Sequence, residues 1–230
     1  EFATKFELPI VQVVSRSVGV PPTSSPYLNP EGEIAKHTTH ELPHWQQEGK
    51  LIFATWRLAD SLPAGKLEQW REERAAWLAA HPEPWDPATE DEYHERFSKS
   101  IDAWLDAGSG ECILRDPACS KRVAEALRHF DGERYALESF VVMPNHVHVL
   151  FRLAPDHKLE DVIHSWKSFT AKELNKLCGS SGEVWQKDYW DRIVRDPDHR
   201  ANILRYIEKN PERAGLSEGE FVCYRMDVGG

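Results

Sequence analysis

Two histidines one residue apart, His146 and His148, stand in the segment FVVMPNHVHVLFRL, which runs from Phe140 to Leu153. Two apolar runs flank Met143-Pro144-Asn145, a turn signal because proline fixes φ and asparagine tolerates turn geometry, so the segment reads as a β-hairpin. In its second arm alternation puts Val147, Val149, Phe151 and Leu153 on one face and His146, His148, Leu150 and Arg152 on the other. Two neutral imidazoles side by side, at a separation set by the strand, are a start for a divalent-metal site. Two sheet histidines satisfied by their neighbours would give the same pattern. Farther along, Tyr206 and Asn210 are four residues apart and share a face of any helix that runs that far. The plain reading of that pair is a packing tyrosine and an ordinary helix end before Pro211.

The elements around these residues follow from periodicity and end signals. Leu51 to Leu58 has the β-branched and aromatic content of a buried strand, and Pro9 to Val14 is a weaker candidate in an otherwise extended arm over 1–41. Leu67 to His81 and Glu90 to Leu105 are helix-like, and their aromatic residues suit a hairpin of two helices packed together. Asp116-Pro117 opens a helix to Phe130 as N-cap and first helical residue. Strands follow at Tyr135 to Met143 and His146 to Leu153, and then a helix over Lys158 to Leu177. That helix has Leu159, Val162, Ile163, Trp166, Phe169 and Leu174 on an apolar stripe. A strand over Val184 to Val194 and a helix from Asp196-Pro197 to about Lys209 complete the set. Strand, helix, strand, strand, helix, strand is the order of an α+β, ferredoxin-like split βαβ core with an antiparallel central sheet.

Composition bounds the function. No apolar run approaches the roughly 20 residues of a membrane span, and no basic-then-apolar leader is visible, so a soluble protein is expected. Cys112, Cys119, Cys178 and Cys223 include no CxxC pair, so neither a disulfide framework nor a zinc ribbon is supported. A net charge of −10 argues against a protein that coats duplex DNA. The acid is uneven: Pro63 to Gly108 has 11 Asp/Glu against 5 Lys/Arg, whereas Val141 to Gly230 has 14 against 13. A basic groove in the second half remains compatible with the charge.

MPNHVHVL, WQKDYWDRIVRD and ILRYIEKNPERAGL together resemble the HUH single-tyrosine transposases, and within them the REP-associated tyrosine transposases, which are IS200-like. Leu42-Pro43-His44-Trp45 and Arg57 to Pro63 add to the likeness, which covers about 42–62 and 113–216. The resemblance implies a catalytic domain over 42–216 with an acidic helical insertion at about 63–108, an arm over 1–41 and a tail over 217–230. It implies a nucleophilic Tyr206 and a divalent ion, Mg²⁺ or Mn²⁺, held by His146, His148 and Asn210; two imidazoles and an amide suit Mn²⁺ at least as well as Mg²⁺. The reaction implied is cleavage and rejoining of single-stranded DNA at hairpin or repeat sequences through a 5′-phosphotyrosine. Tyr189 is the rival nucleophile. Lys167, Lys172, Lys187, Arg192 and Arg195 are candidates for phosphate contacts, with a solvated face as the alternative, and Trp185, Tyr189 and Trp190 for base stacking. A bacterial, cytoplasmic, nucleoid-associated protein is expected, a monomer or homodimer with no membrane partner. Two other functions fit the same residues: a catalytically silent DNA-binding protein on this fold, and a metal-dependent phosphodiesterase that uses activated water.

Overall fold

The computed structural model describes residues 25–39, 42–62, 64–82 and 87–226. The candidate strand at Pro9 to Val14 lies outside them. The first described elements are β1 (Ala35–Thr39) and β2 (Leu42–Gln46), a two-stranded antiparallel unit, so strand structure begins within the stretch expected to be an extended arm. β3 (Leu51–Arg57), β4 (Tyr135–Val142), β5 (His146–Leu153), β6 (Trp190–Ile193) and β7 (Val222–Arg225) form one sheet in the order β6-β3-β5-β4-β7. Every neighbouring pair is antiparallel. β3 and β4 therefore run in the same direction with β5 between them, and the mixed α+β class with an antiparallel central sheet is as expected.

The helices between these strands are α1 (Ala64–Ala80), α2 (Pro87–Tyr93), α3 (Lys99–Asp106), α4 (Pro117–His129), α5 (Leu159–Cys178) and α6 (Pro197–Arg213). A π-turn at His94–Ser98 joins α2 to α3, so the second helix of the insertion is widened at buried Phe97. Trp77, Tyr93 and Phe97 meet with ring centroids 5.4 to 5.9 Å apart, the aromatic packing expected of the helical pair.

Alternation along β3 and β5 divides the molecule into two cores. Ile52, Ala54 and Trp56 with Val147, Val149 and Phe151 face α4 and α5. Leu51, Phe53 and Leu150 face α6, which contributes Ile203, Leu204 and Ile207. β5 is hydrogen-bonded on both edges and buried on both faces, so the two histidines of its second face lie under α6.

Local signals explain the helix starts. Asp116 accepts from Ala118 N at 2.7 Å and Asp196 from His199 N at 2.7 Å, each before a proline whose missing N–H is harmless at the first helical position. α5 has no side-chain cap of its own at Lys158; Gln46 Oε1 from β2 accepts from Leu159 N at 2.8 Å instead.

Four expectations are corrected. The strand expected over Val184 to Val194 is confined to Trp190–Ile193, because Lys167 Nζ engages the carbonyls of Gln186 and Lys187 at 2.7 and 2.6 Å and only an isolated Leu58–Trp185 bridge forms upstream. α6 does not stop at Asn210-Pro211 but reaches Arg213, with the Pro211 ring buried and Ala214 N bonded to Asn210 O at 3.1 Å. Phe169 is 48% exposed; the stripe position falls to buried Thr170, whose hydroxyl donates to Trp166 O at 2.6 Å. The stretch read as a tail contains β7, where Tyr224 stacks on Phe140 at 5.2 Å.

The α4/α5 core should hold most of the stability without shaping the histidine face. Phe151, fully buried beside Tyr135 and Trp166, tests this. Phe151→Ala is expected to lower the unfolding free energy by about 3–5 kcal/mol in urea titrations, with the histidine resonances of the folded protein unchanged.

Candidate active site

β5 supplies both imidazoles, and each is 1% exposed. Their ring centroids are 4.6 Å apart at 76°. Across the sheet, register sets Thr55 of β3 beside His148, and Thr55 Oγ1 meets His148 Nδ1 at 2.7 Å. His146 Nδ1 meets Asn145 Oδ1 at 2.7 Å. Each ring is thus held at its Nδ1 by a neutral oxygen, with Nε2 turned elsewhere.

α6 brings the other two residues. Its 3.6-residue period sets Tyr206 and Asn210 one turn apart over the strand, because the helix continues through Pro211. Tyr206 Oη lies 3.4 Å from His148 Nε2, and Asn210 Nδ2 also lies 3.4 Å from it. The half-buried Tyr206 ring stands edge-on to His148 at 5.0 Å and to Phe53 at 6.0 Å, and the Arg213 guanidinium lies 5.4 Å from its centroid. Arg213 is paired with Asp106 of α3 at 3.3 Å.

Burial sets the electrostatics. Desolvation pushes the His146 pKa down to about 3, offset in part by the Asn210 side chain. His148 is held well below the ordinary histidine value by burial, with the neighbouring His146 and Arg213 acting in the same direction. Both rings are therefore neutral at physiological pH, the form that ligates metal. His146 Nε2 and Asn210 Oδ1 are buried and have no hydrogen-bond partner. Unsatisfied buried polar atoms are rare and costly, so an unpaired His146 nitrogen and an unpaired oxygen on the amide whose nitrogen meets His148 Nε2 fit a cation shell. Among the described residues no cluster of three His, Cys, Asp or Glu side chains could hold a metal, so a shell here depends on the amide.

The other expected site residues scatter. Trp185 is 4% exposed in the α4/α5 core, its Nε1 donating to Thr170 Oγ1 at 2.9 Å, so no ring face is open to a base. Tyr189 is 7% exposed, stacked on His44 at 3.9 Å, with burial raising its pKa. Its phenol is enclosed, which removes it as rival nucleophile. Lys167 is half-buried against the 186–187 carbonyls, with burial pulling its pKa down to about 8. Lys172, Lys187 and Arg195 are exposed. Trp190 and Arg192 pair with Thr55 and Phe53 and so share the histidine face, Arg192 lying 5.2 Å over the Trp190 ring. Thr55, Asn145 and Arg213 were missed: only the strand register reveals Thr55, and Asn145 reads as a turn residue. A cavity of about 140 Å³ beside the site is lined by Asp106, Arg115, Met143, Asn145 and Leu216, among others.

Residues 112–210 match the family model described as "Transposase IS200 like". This segment of the chain is IS200-like in sequence. The resemblance to single-tyrosine transposases, carried by the HVH, WQKDYW and ILRYIEKN motifs, is thereby shown, and all four site residues fall inside or at the end of the matched range. Over 98 residues the chain is 29% identical to a Haemophilus influenzae protein named "Putative REP-associated tyrosine transposase", which is 37% of this chain and 56% of that protein. It is 24% identical over 98 residues to the REP-associated tyrosine transposase of Escherichia coli, 41% of this chain and 57% of that protein. The chain thus spans little more than half the length of these curated relatives. A solved structure of a REP-associated tyrosine transposase bound to a REP hairpin aligns over 78% of this chain and 77% of its own, at 15% identity and a TM-score of 0.39. No described helix is long and apolar enough to cross a membrane.

The neutral imidazoles give a pH signature. Unfolded, each ring titrates near the ordinary histidine value of 6.5, and burial lowers both in the folded chain, His146 to about 3, so below 6.5 the unfolded chain binds more protons. The stability owed to the neutral pair is complete above about pH 6.5 and lost as pH falls toward 3. Urea titrations of metal-free protein should show this decline, and His146→Gln should make it less steep.

Proposed function

We propose that the protein is a metal-dependent, tyrosine-nucleophile enzyme that cleaves and rejoins single-stranded DNA at hairpin or repeat sequences. The observation that carries this reading is the convergence of Tyr206 Oη and Asn210 on His148 Nε2 at 3.4 Å, beside the unpartnered His146 Nε2. His146, His148 and Asn210, its amide turned to present Oδ1, would hold a divalent ion, Mn²⁺ as readily as Mg²⁺. When bound, that ion withdraws charge from the scissile phosphate and orients it.

The chain's own residues do the rest. Thr55 and Asn145 hold the imidazoles by their Nδ1 atoms. α6 presents the phenol at the rim of the site, half-buried where Tyr189 is enclosed. Attack of Tyr206 Oη on phosphorus forms the phosphotyrosine bond, breaks the bond to the 3′ oxygen of the preceding nucleotide and leaves a 3′-hydroxyl. Attack by a 3′-hydroxyl reverses the step and conserves the phosphodiester energy, so no nucleotide cofactor is needed. Trp190 and Arg192 share the histidine face, where a ring and a guanidinium could meet an unpaired strand.

End-labelled single-stranded hairpins from sequence flanking the gene, incubated with Mn²⁺ and run on a denaturing gel, test the reading. A denaturant-resistant adduct is expected that vanishes in Tyr206→Phe and in EDTA. Cleavage that persists in Tyr206→Phe would move the function to water-activated hydrolysis, and binding without cleavage across several repeats to a silent DNA-binding protein.

A further inference from the structure

The helical insertion between β3 and α4 packs chiefly on itself, yet its last turn reaches the active site. Asn145 Nδ2 donates to Leu105 O at 3.1 Å and to Ser109 O at 3.2 Å. An amide nitrogen carries two N–H groups, and both are used. Turning the amide over would set its oxygen against two carbonyl oxygens, so the orientation is fixed. Asn145 Oδ1 then faces His146 Nδ1 at 2.7 Å, and since an amide oxygen only accepts, the proton must be on Nδ1. His146 Nε2 keeps its lone pair, and this is the buried atom without a partner.

The turn is itself pinned. A side chain at Gly110, φ +90°, would meet Asp60 O at 2.8 Å, while Asp60 Oδ2 accepts from Glu111 N at 2.7 Å. Asp106, from the same turn, pairs with the Arg213 that lies over Tyr206.

We propose that the end of the insertion, residues 105–109, is a positioning element of the active site: through Asn145 it fixes His146 as the Nδ1–H tautomer and so presents Nε2 as a ligand atom. The purpose of that arrangement rests on the metal reading above; the tautomer belongs to the chain alone. Asn145 is a positioning residue, since it touches His146 and not the reacting atoms.

The test is ¹H–¹⁵N correlation of the imidazole nitrogens in the full chain, free of metal and DNA, followed by Mn²⁺ calorimetry. Wild type should show His146 protonated on Nδ1. Asn145→Ala should lose that preference and weaken Mn²⁺ binding by about 10–100-fold. Val123→Ala, in the opposite core, should lower stability and leave the tautomer alone. An Nε2–H His146 in wild type, or an unchanged tautomer and unchanged affinity in Asn145→Ala, overturns the proposal. The wild-type spectrum decides even if Asn145→Ala does not fold. Wild type that binds no Mn²⁺ but shows the Asn145-dependent tautomer would overturn the metal reading and support the positioning.

Discussion

A strand buried on both faces that nonetheless carries two imidazoles sets the terms for everything near it. Each ring brings two nitrogens out of water, and each nitrogen left without a partner costs about 1–3 kcal/mol. β5 cannot escape to an edge, because β3 and β4 flank it. The neighbours must therefore supply the partners. Thr55 comes from β3, Asn145 from the turn, and Asn210 and Tyr206 from α6. What remains unpaired, His146 Nε2 and Asn210 Oδ1, is where chemistry is to be expected.

That constraint also explains the division of labour between the two cores. The face toward α4 and α5 is packed with Trp56, Tyr135, Phe151 and Trp166, whose polar atoms mostly close on one another: Trp166 Nε1 donates to Tyr135 Oη at 2.9 Å, and Tyr135 Oη donates to Leu127 O at 2.9 Å. The face toward α6 is smaller, and polar groups interrupt it. Stability thus resides mainly on one side of the sheet and the candidate site lies on the other, so that site can hold unsatisfied atoms while the fold persists.

Much of this was legible in the sequence because it depends on short periods. Alternation placed His146 and His148 together, a four-residue step placed Tyr206 over Asn210, and Asp-Pro twice marked a helix start. What escaped depends on tertiary packing. Thr55 becomes a histidine partner only through the β3–β5 register, and the carbonyls holding Asn145 come from about 40 residues upstream, where side-chain identity says nothing. The WQKDYW segment has the content of a strand and an aromatic nucleic-acid surface alike. Trp185 and Tyr189 are neither: both are buried outside the strand at Trp190–Ile193, and burial is a property of the whole fold. Pro211 reads as a stop, but its ring is accepted into the core and the helix runs on.

The same proline divides α6 mechanically. Without an amide hydrogen at Pro211, the carbonyl of Ile207 has no rung to the following turn, so the segment bearing Arg213 is attached to the segment bearing Tyr206 by one bond fewer than a regular helix would provide. One tether outside the helix is the ion pair of Arg213 with Asp106. A displacement of the insertion would then be transmitted to the guanidinium above the phenol before it disturbed the phenol itself, making this last turn a compliant joint between an acidic helical segment and Tyr206.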